Sequence, residues 1–179
     1  MNIALGIKMF VLALLISISG CSAVPKSTFP ELQTVDFVDM DRYLGKWYEI
    51  ARYPHSFEEG CYGATAFYKK KKDGTIKVIN QCRIGSLQGI LKEAIGEATV
   101  GDIKTNSKLK VQFFWPFKGN YWIIHLDKDY QNAIVSEPNR QFLWILSRSP
   151  EMNSQKLETL KGILLKKGFN LDYLQMTPQ

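Results

Sequence analysis

Histidine and cysteine are scarce in this sequence, and their scarcity excludes several classes of function. Among 179 residues there are two histidines and three cysteines, which is little material for a metal site or a histidine-based catalytic triad. The motifs G-x-S-x-G, H-E-x-x-H, G-x-G-x-x-G and the P-loop are also absent. We therefore predict no catalytic residue, metal or cofactor, and interpret His55 and His125 as surface or packing residues.

Charge is also limited. Charged residues make up 22% of the chain, against 45% apolar and 12% aromatic residues, a composition typical of one folded domain and not of a disordered chain. The formal net charge is +6, but the basic residues are scattered, so nucleic-acid binding is not predicted. One lysine run, residues 69–72, precedes Asp73-Gly74. We interpret it as a solvated hairpin tip, with contact to anionic lipid as the alternative.

A long hydrophobic run is missing as well. Lys8 is followed by only eight consecutive apolar residues, 9–16, and then by a tail rich in small residues that reaches Cys21. A membrane-spanning helix needs about 20 apolar residues. The pattern therefore predicts a secretory signal peptide at residues 1–20, with a membrane-spanning anchor as the alternative.

The residues around Cys21 resemble a bacterial lipobox, in the order Ile18-Ser19-Gly20-Cys21. The resemblance implies cleavage before Cys21 and acylation of this residue, and Ser22 in the next position implies sorting to the outer membrane. Residues 21–37 then form a lipidated N-terminus and a tether. The alternative is ordinary cleavage that leaves Cys21 free or disulfide-bonded.

From about residue 38 the chain consists of short β-rich runs separated by turn signals, of which Asp73-Gly74 is the strongest. This regular spacing is typical of an antiparallel sandwich or barrel. The eight predicted strands are residues 47–53, 62–70, 75–81, 89–100, 108–115, 120–126, 133–136 and 142–147.

One amphipathic helix is predicted after these strands. Ser149 suits the N-cap, Pro150 suits the first helical position, and Gly168 suits the left-handed C-terminal cap. Its apolar stripe consists of Leu157, Leu160, Ile163 and Leu164. The helix is expected to pack on the outer face of the sheet, and residues 169–174 are expected to form a short closing strand.

Three motifs in the same order resemble the lipocalins, and in particular the bacterial lipoprotein lipocalins of the Blc type and the apolipoprotein D-like lipocalins. They are the G-x-W opening with its continuation at residues 45–61, residues 121–130, and residues 142–150. The resemblance spans essentially the whole domain, residues 38–179. It implies an all-β fold, an eight-stranded antiparallel up-and-down barrel with one C-terminal α-helix packed outside.

The resemblance also implies roles for individual residues. Trp47 would close one end of the barrel, with Arg148 packed across its indole. Gly45, Trp47 and Arg148 are expected to be structural residues only. Trp122 and Ile124 are expected to face the helix. The residues expected to contact a ligand in the cavity are Tyr53, Phe57, Phe67, Phe114, Tyr121, Ile123, Phe142 and Trp144.

Glu49 shares strand parity with Trp47, so it would lie low in the cavity unless a bulge turns it outward. A buried carboxylate must be paired, hydrogen-bonded or protonated. The sequence leaves both orientations open.

Cys61 and Cys82 remain as a pair if Cys21 carries lipid, in a compartment where disulfides persist. With a strict two-residue Asp73-Gly74 loop, Cys61 would face residue 86, which displaces Cys82 by about 13 Å. A disulfide tolerates Cα separations only up to about 7 Å. We nevertheless predict the Cys61–Cys82 bond, which then requires a wider loop or bulges in these strands.

Together these features predict an outer-membrane-anchored lipocalin facing the periplasm. It would bind a fatty acid or lysophospholipid for envelope lipid transport, storage or scavenging. Haem and small apolar molecules are the next candidate ligands. One alternative is a lipocalin-fold enzyme acting on a lipid through Glu49, Cys61 or Cys82, and another is an envelope assembly module with a vestigial pocket. The sequence leaves open whether two barrels form a homodimer.

Overall fold

The computed structural model describes residues 29–179. The predicted signal peptide, residues 1–20, and the predicted lipidation site, Cys21, lie outside the described residues. Of the predicted tether, only its last part is described. It runs from residue 29 towards the first strand, and Leu32 within it is buried against the outer wall of the sheet.

Eight antiparallel strands form a closed barrel, which confirms the predicted fold class. Strands that follow each other along the chain pair with each other, and the first strand closes the ring by pairing with both the eighth and the second. The strands are β1 (Gly45–Arg52), β2 (Cys61–Lys70), β3 (Ile76–Ile84), β4 (Ile90–Val100), β5 (Lys108–Phe114), β6 (Phe117–Leu126), β7 (Asn132–Ser136) and β8 (Leu143–Ser147).

Alternation along the strands produces two apolar layers. In β6, Ile123 is buried in the inner layer with Trp47, while Ile124 is buried in an outer layer between the barrel wall and the C-terminal helix. Tyr121 packs with the inner layer and Trp122 with the outer one. The orientation expected for these residues of β6 is therefore confirmed.

The C-terminal helix, α2, spans Ser154–Lys166 and buries Leu160 and Leu164 against the barrel. The predicted start at Ser149 and Pro150 is wrong, because Asn153 is the N-cap and its Oδ1 accepts a hydrogen bond from the Lys156 amide at 2.8 Å. The Ser149 hydroxyl instead accepts from the Glu151 amide at 3.3 Å in the preceding turn.

The chain after α2 differs from the predicted strand at residues 169–174. It forms a short 3₁₀ helix, Leu171–Tyr173, and then a two-residue strand β9, Gln175–Met176, that pairs with the end of β1. Beyond β9, the Thr177 amide donates to the Ile50 carbonyl at 2.9 Å, and the Gly63 amide donates to the Pro178 carbonyl at 2.7 Å. The C-terminal residues therefore lie between β1 and β2 where these two strands no longer pair.

The closed end of the barrel has the arrangement that the resemblance implies. Trp47 is fully buried, and the Arg148 guanidinium lies 3.8 Å from the centre of its indole. Gly45 has φ +92°, and a Cβ there would meet the Arg148 Nη1 at 3.4 Å. A short helix that the sequence did not indicate, α1 (Met40–Tyr43), precedes β1, and the Trp47 indole donates to the Tyr43 carbonyl at 2.8 Å.

The predicted disulfide between Cys61 and Cys82 is present, with 5.4 Å between the two Cα atoms. The pairing of Lys70 with Ile76 leaves a five-residue turn, residues 71–75, in place of a two-residue one. A register shift between Tyr62 and Thr65 then places Cys61 opposite Ile84. Both the wider loop and the irregular strand that the bond requires are therefore present.

Candidate ligand-binding site at the open end of the barrel

A pocket of about 410 Å³ lies at the open end of the barrel, the end opposite Trp47. Its volume falls in the range of about 300–1,000 Å³ that is typical of small-molecule sites. It is lined by Arg52, Pro54, His55, Ser56, Glu58, Glu59, Gly60 and Gln175. Most of these belong to the end of β1 and the loop that follows it, so this segment decides the chemistry of the site.

A bulge in β1 fixes which of its side chains face the interior. Glu49 lies opposite Leu146 and Arg52 lies opposite Trp144, and both of these partners pack with the inner layer. The register shifts between Glu49 and Ala51, so Ala51 packs in the outer layer. Glu49 and Arg52 therefore share the interior face, which answers the question the sequence left open.

One oxygen of the Glu49 carboxylate, Oε1, accepts hydrogen bonds from two neighbours. Arg52 Nη1 donates to Glu49 at 2.7 Å and to the Thr177 hydroxyl at 2.9 Å, while Thr177 itself donates to Glu49. Arg52 Nη2 donates to the Glu58 carbonyl at 3.1 Å. Additional bonds of this kind help to offset the cost of burying an ion pair.

The loop after β1 folds a histidine and a second carboxyl group back towards the interior. Its short 3₁₀ helix, Ser56–Glu58, brings Glu58 Oε2 to 3.4 Å from His55 Nε2. The side chains of His55 and Glu58 are only 4% and 17% exposed. Of the two roles predicted for His55, surface residue or packing residue, the structure shows the second. Glu58 was not identified from the sequence.

Burial keeps both of these groups uncharged near neutral pH. It lowers the pKa of His55 to about 4, although the negative charge of Glu49 opposes that shift. Burial raises the pKa of Glu58 to about 9, and the neighbouring Glu49 charge raises it further while Arg52 lowers it. The mouth therefore combines one ion pair, Glu49–Arg52, with a neutral imidazole and a protonated carboxyl group.

Aromatic rings pack against His55, one of the residues that line the pocket. His55 stacks on Phe57 with 3.8 Å between ring centres, and its ring centre is 5.4 Å from that of Trp144. The rings of Phe142 and Trp144 are nearly parallel, with centres 6.0 Å apart. Three of the residues expected to contact a ligand, Phe57, Phe142 and Trp144, are therefore brought together at the mouth.

Two more of the residues expected to contact a ligand, Tyr121 and Ile123, lie deeper in the barrel. Ile123 is fully buried in the inner layer. The Tyr121 hydroxyl lies 2.7 Å from that of Tyr43 and 2.9 Å from that of Tyr68. Burial raises the pKa of Tyr121 well above its usual value, so this network of three hydroxyls is uncharged.

Tyr53 does not face the interior, which corrects the orientation expected for it. It packs in the outer layer, with its ring centre 6.1 Å from those of Phe169 and Tyr173. Its hydroxyl donates to the Asn170 carbonyl at 2.7 Å. The physical reason is the bulge in β1, because it shifts every later residue of the strand to the opposite face.

Phe67 and Phe114 are also directed away from the interior, contrary to expectation. Phe67 is 41% exposed, since its neighbour Tyr68 occupies the inward position and successive side chains alternate. Phe114 is 77% exposed at the tip of the β5–β6 hairpin, opposite Phe117. Phe113 packs with the inner layer instead.

Within residues 29–179, no group of three histidine, cysteine, aspartate or glutamate side chains is arranged to hold a metal ion. No helix in this part of the chain is both long enough and apolar enough to cross a membrane.

Comparison with known proteins places this barrel in a family. The family model described as a lipocalin-like domain matches residues 38–179. The outer membrane lipoprotein Blc of Vibrio cholerae is 38% identical over 166 residues, which cover 92% of this chain and 94% of that protein. Apolipoprotein D of Bos taurus is 34% identical over 151 residues, covering 79% of this chain and 77% of that protein.

Solved structures agree at the level of the fold. Insecticyanin from the tobacco hornworm Manduca sexta superposes with a TM-score of 0.67 at 18% identity, covering 84% of this chain and 86% of insecticyanin. The family model covers most of the chain, and the two relatives above are 38% and 34% identical to it over more than two thirds of its length. The chain therefore belongs to the lipocalin family and is a homologue of the Blc outer membrane lipoproteins.

Proposed function

We propose that this lipocalin is held to the outer membrane by an acylated Cys21 and binds a fatty acid or a lysophospholipid in its barrel. Its role is the transport, storage or scavenging of envelope lipids. The homologues from Vibrio cholerae and Escherichia coli are named outer membrane lipoproteins. The lipobox-like residues Ile18–Cys21 support the same anchoring for this chain.

The observation that carries the lipid-binding proposal is the pocket at the barrel mouth. It measures about 410 Å³, and one of its lining residues, His55, packs against the rings of Phe57, Phe142 and Trp144. Burying an acyl chain beside such rings contributes about 0.8 kcal/mol per methylene. Arg52, at the rim, supplies a cationic group for the polar end of the molecule.

The geometry favours binding over turnover. Glu49, the residue on which an enzymatic mechanism would depend, is ion-paired with Arg52 and accepts a hydrogen bond from Thr177. Cys61 and Cys82 are joined in a disulfide, so neither offers a free thiol. Release of fatty acid from a lysophospholipid by the purified protein, lost in Glu49→Gln, would instead support a lipocalin-fold enzyme.

Native mass spectrometry of the full-length protein, extracted from membranes in mild detergent, tests the ligand. We expect one fatty acid or lysophospholipid to copurify with each chain, and the stripped protein to take up added palmitate. A barrel that is empty after extraction and also ignores added palmitate would contradict lipid transport. It would favour an assembly role with a vestigial pocket.

Intact-mass analysis and a Cys21→Ser variant test the anchor. The mature wild-type chain is expected to begin at an acylated Cys21 and to fractionate with the outer membrane. Cys21→Ser should be recovered without acyl chains and away from that membrane, with the same near-ultraviolet circular dichroism. Recovery of Cys21→Ser in the outer membrane at wild-type levels would refute anchoring through this residue.

A further inference from the structure

Three polar side chains lie next to one another at the mouth of the barrel. The Arg52 side chain is 10% exposed, that of His55 is 4% exposed and that of Glu58 is 17% exposed. Glu58 Oε2 lies 3.4 Å from His55 Nε2 and 3.7 Å from Arg52 Nε. All three side chains line the mouth pocket. We refer to Arg52, His55 and Glu58 as the mouth cluster.

The mouth cluster contains buried polar atoms that make no hydrogen bond to any residue in the range 29–179. They are Arg52 Nε, both ring nitrogens of His55, and Glu58 Oε2. Buried polar groups in folded proteins are almost always hydrogen-bonded, because leaving them unpaired is costly. Four unpaired atoms within one small cluster, at the wall of a pocket, indicate a place where a polar group of a ligand binds.

Aromatic rings beside the mouth cluster determine how an amphiphile bound there would be oriented. The His55 ring centre lies 5.4 Å from Trp144 and 5.8 Å from Phe142. Trp144 packs with the inner apolar layer. A headgroup at the mouth cluster would thus have its chain directed past Trp144 into the barrel.

The charges around His55 cancel one another, so an anionic headgroup would require a further cation. From β1 it faces Glu49 and Arg52, and from its own loop it faces Glu58. Glu58 interacts in turn with Trp144 of β8 and with Tyr68 of β2. The nearby loop backbone also accepts a hydrogen bond from Lys92 of β4, at the Phe57 carbonyl. Since the Arg52 charge is already balanced by Glu49, a bound anion would be balanced best by a second cation.

Only His55 can supply that second cation within the mouth cluster. Its pKa is lowered by burial to about 4, so it is neutral before an anion arrives. An opposite charge in contact with an imidazole raises its pKa. The protonated Glu58 carboxyl and Arg52 Nε would complete the site as hydrogen-bond donors.

We propose that Arg52, His55 and Glu58 bind the anionic headgroup of the ligand, a carboxylate or a phosphate, and that His55 takes up a proton from solvent as this headgroup binds. The proposal rests on the proposed lipid-binding function and specifies its polar end. Burial of the acyl chain alone would not change the number of bound protons, whereas binding of the headgroup in this way takes up one proton.

Isothermal titration of the mature domain with three 14-carbon probes tests the proposal. Myristate carries a carboxylate, 1-myristoyl-lysophosphatidylglycerol carries a phosphodiester, and 1-tetradecanol has no charge. We expect at least one anionic probe to bind about tenfold or more tightly than tetradecanol at pH 6.5. As the pH is lowered from 8 to 6, the Kd of that probe should fall by up to about tenfold per pH unit, because binding takes up one proton. Titrations in two buffers of different ionisation enthalpy measure that uptake directly.

A pair of histidine variants identifies the proton acceptor. His55→Gln should abolish the proton uptake that accompanies binding of an anionic probe, and it should flatten the pH dependence of the Kd for that probe. His125→Gln is the matched control, because His125 lies on β6 away from the mouth, near Asp127, Lys156 and Lys167. It should leave the uptake unchanged.

The wild-type titrations alone can overturn the proposal, even if a variant fails to fold. Equal affinity for all three probes, with no pH dependence, would show that the mouth cluster is structural while lipid binding stands. Failure of all three probes to bind would refute the proposed function itself. A preference for only one of the two anionic probes would support the proposal and identify the headgroup as a carboxylate or a phosphodiester.

Discussion

The Arg148 guanidinium joins the last strand to the closed end of the barrel. It donates to the carbonyl oxygens of Lys46, Arg42, Tyr43 and Leu44 at 2.6–3.0 Å, and its Nε reaches the Tyr130 carbonyl at 3.3 Å. The same group lies over the Trp47 ring. A planar, five-donor cation can make all of these contacts at once, and a lysine ammonium cannot.

Arg148→Lys should therefore lower the free energy of unfolding even though it keeps the charge. We expect a loss of about 2–3 kcal/mol, because several charge-assisted hydrogen bonds and the stacking on Trp47 are lost. Urea denaturation, comparing midpoints at constant m-value, measures it. Arg83→Lys is the control, since exposed Arg83 donates, within the described part of the chain, only to the Gly89 carbonyl. Equal midpoints for the two variants would contradict this role.

Glu58 and His55 make opposite contributions to the pH dependence of stability. The folded chain holds a proton on Glu58, whose pKa is raised to about 9, while the unfolded chain releases it near pH 4.5. Stability from Glu58 is therefore full below pH 4.5 and declines as pH rises towards 9. His55, whose pKa is lowered to about 4, contributes stability above pH 6.5 that is lost as pH falls towards 4.

Glu58→Gln should remove the alkaline part of this dependence. Between pH 7 and pH 8.5, where His55 is neutral in both states, wild-type stability should fall by roughly 1 kcal/mol per pH unit. The variant should show a flatter profile, because an amide does not ionise. Glu59→Gln, at an exposed neighbour, should keep the wild-type slope. Parallel profiles for wild type and Glu58→Gln would disprove this assignment.

At the scale of elements, the sequence predicts what depends on local pattern. All eight strands were located within a few residues, because apolar alternation and turn signals mark them. The C-terminal end of α2 was also located correctly, since Gly168 takes φ +82° and the Phe169 amide bonds to the Leu164 carbonyl. The start of α2 was predicted wrongly. Ser149 and Asn153 can both cap a helix, and tertiary packing selects between them.

Bulges are the features of the strands that local pattern does not predict. The register shifts in β1, in β2 and between Val111 and Phe114 depend on partner strands that are distant in sequence. The shift in β1 reverses the face of the residues beyond it, which is why Tyr53 faces outward, contrary to the prediction. Glu58 was missed for a related reason, since only the folded loop brings it to Arg52.

The two candidate caps of α2 can be separated by experiment. Asn153→Ala should lower the free energy of unfolding by about 1 kcal/mol, because the Lys156 amide loses its acceptor. Ser149→Ala should change it by less than about 0.5 kcal/mol, because it removes only a bond in the preceding turn. Thermal unfolding by circular dichroism at 222 nm gives both values. A larger loss in Ser149→Ala would place the start of the helix at Pro150.

At the scale of the whole molecule, the barrel wall is closed by two different means. Near Trp47, β1 and β2 pair directly through four residue pairs, from Gly45–Tyr68 to Tyr48–Thr65. Towards the mouth the two strands separate, and the C-terminal residues fill the space between them. The last of these, Gln179, donates from its side chain to the Glu49 and Ala64 carbonyls. No local sequence pattern predicts this closure, because it joins residues more than 100 positions apart.

Deletion of residues 175–179 should therefore open the wall only on the mouth side. The Gly63 amide would lose its acceptor, and the Glu49–Arg52 pair would lose Thr177. We expect a folded barrel with a lower melting temperature and faster hydrogen exchange confined to residues 49–53 and 61–64, because the other strand pairs are untouched. Thr177→Val is the matched control, since it removes the hydroxyl but keeps the backbone in place, and it should leave the exchange of Gly63 slow. Faster exchange throughout β4–β7 in the deletion variant would mean that residues 175–179 support the whole fold. Unchanged exchange at Gly63 would mean that these residues do not close the wall between β1 and β2.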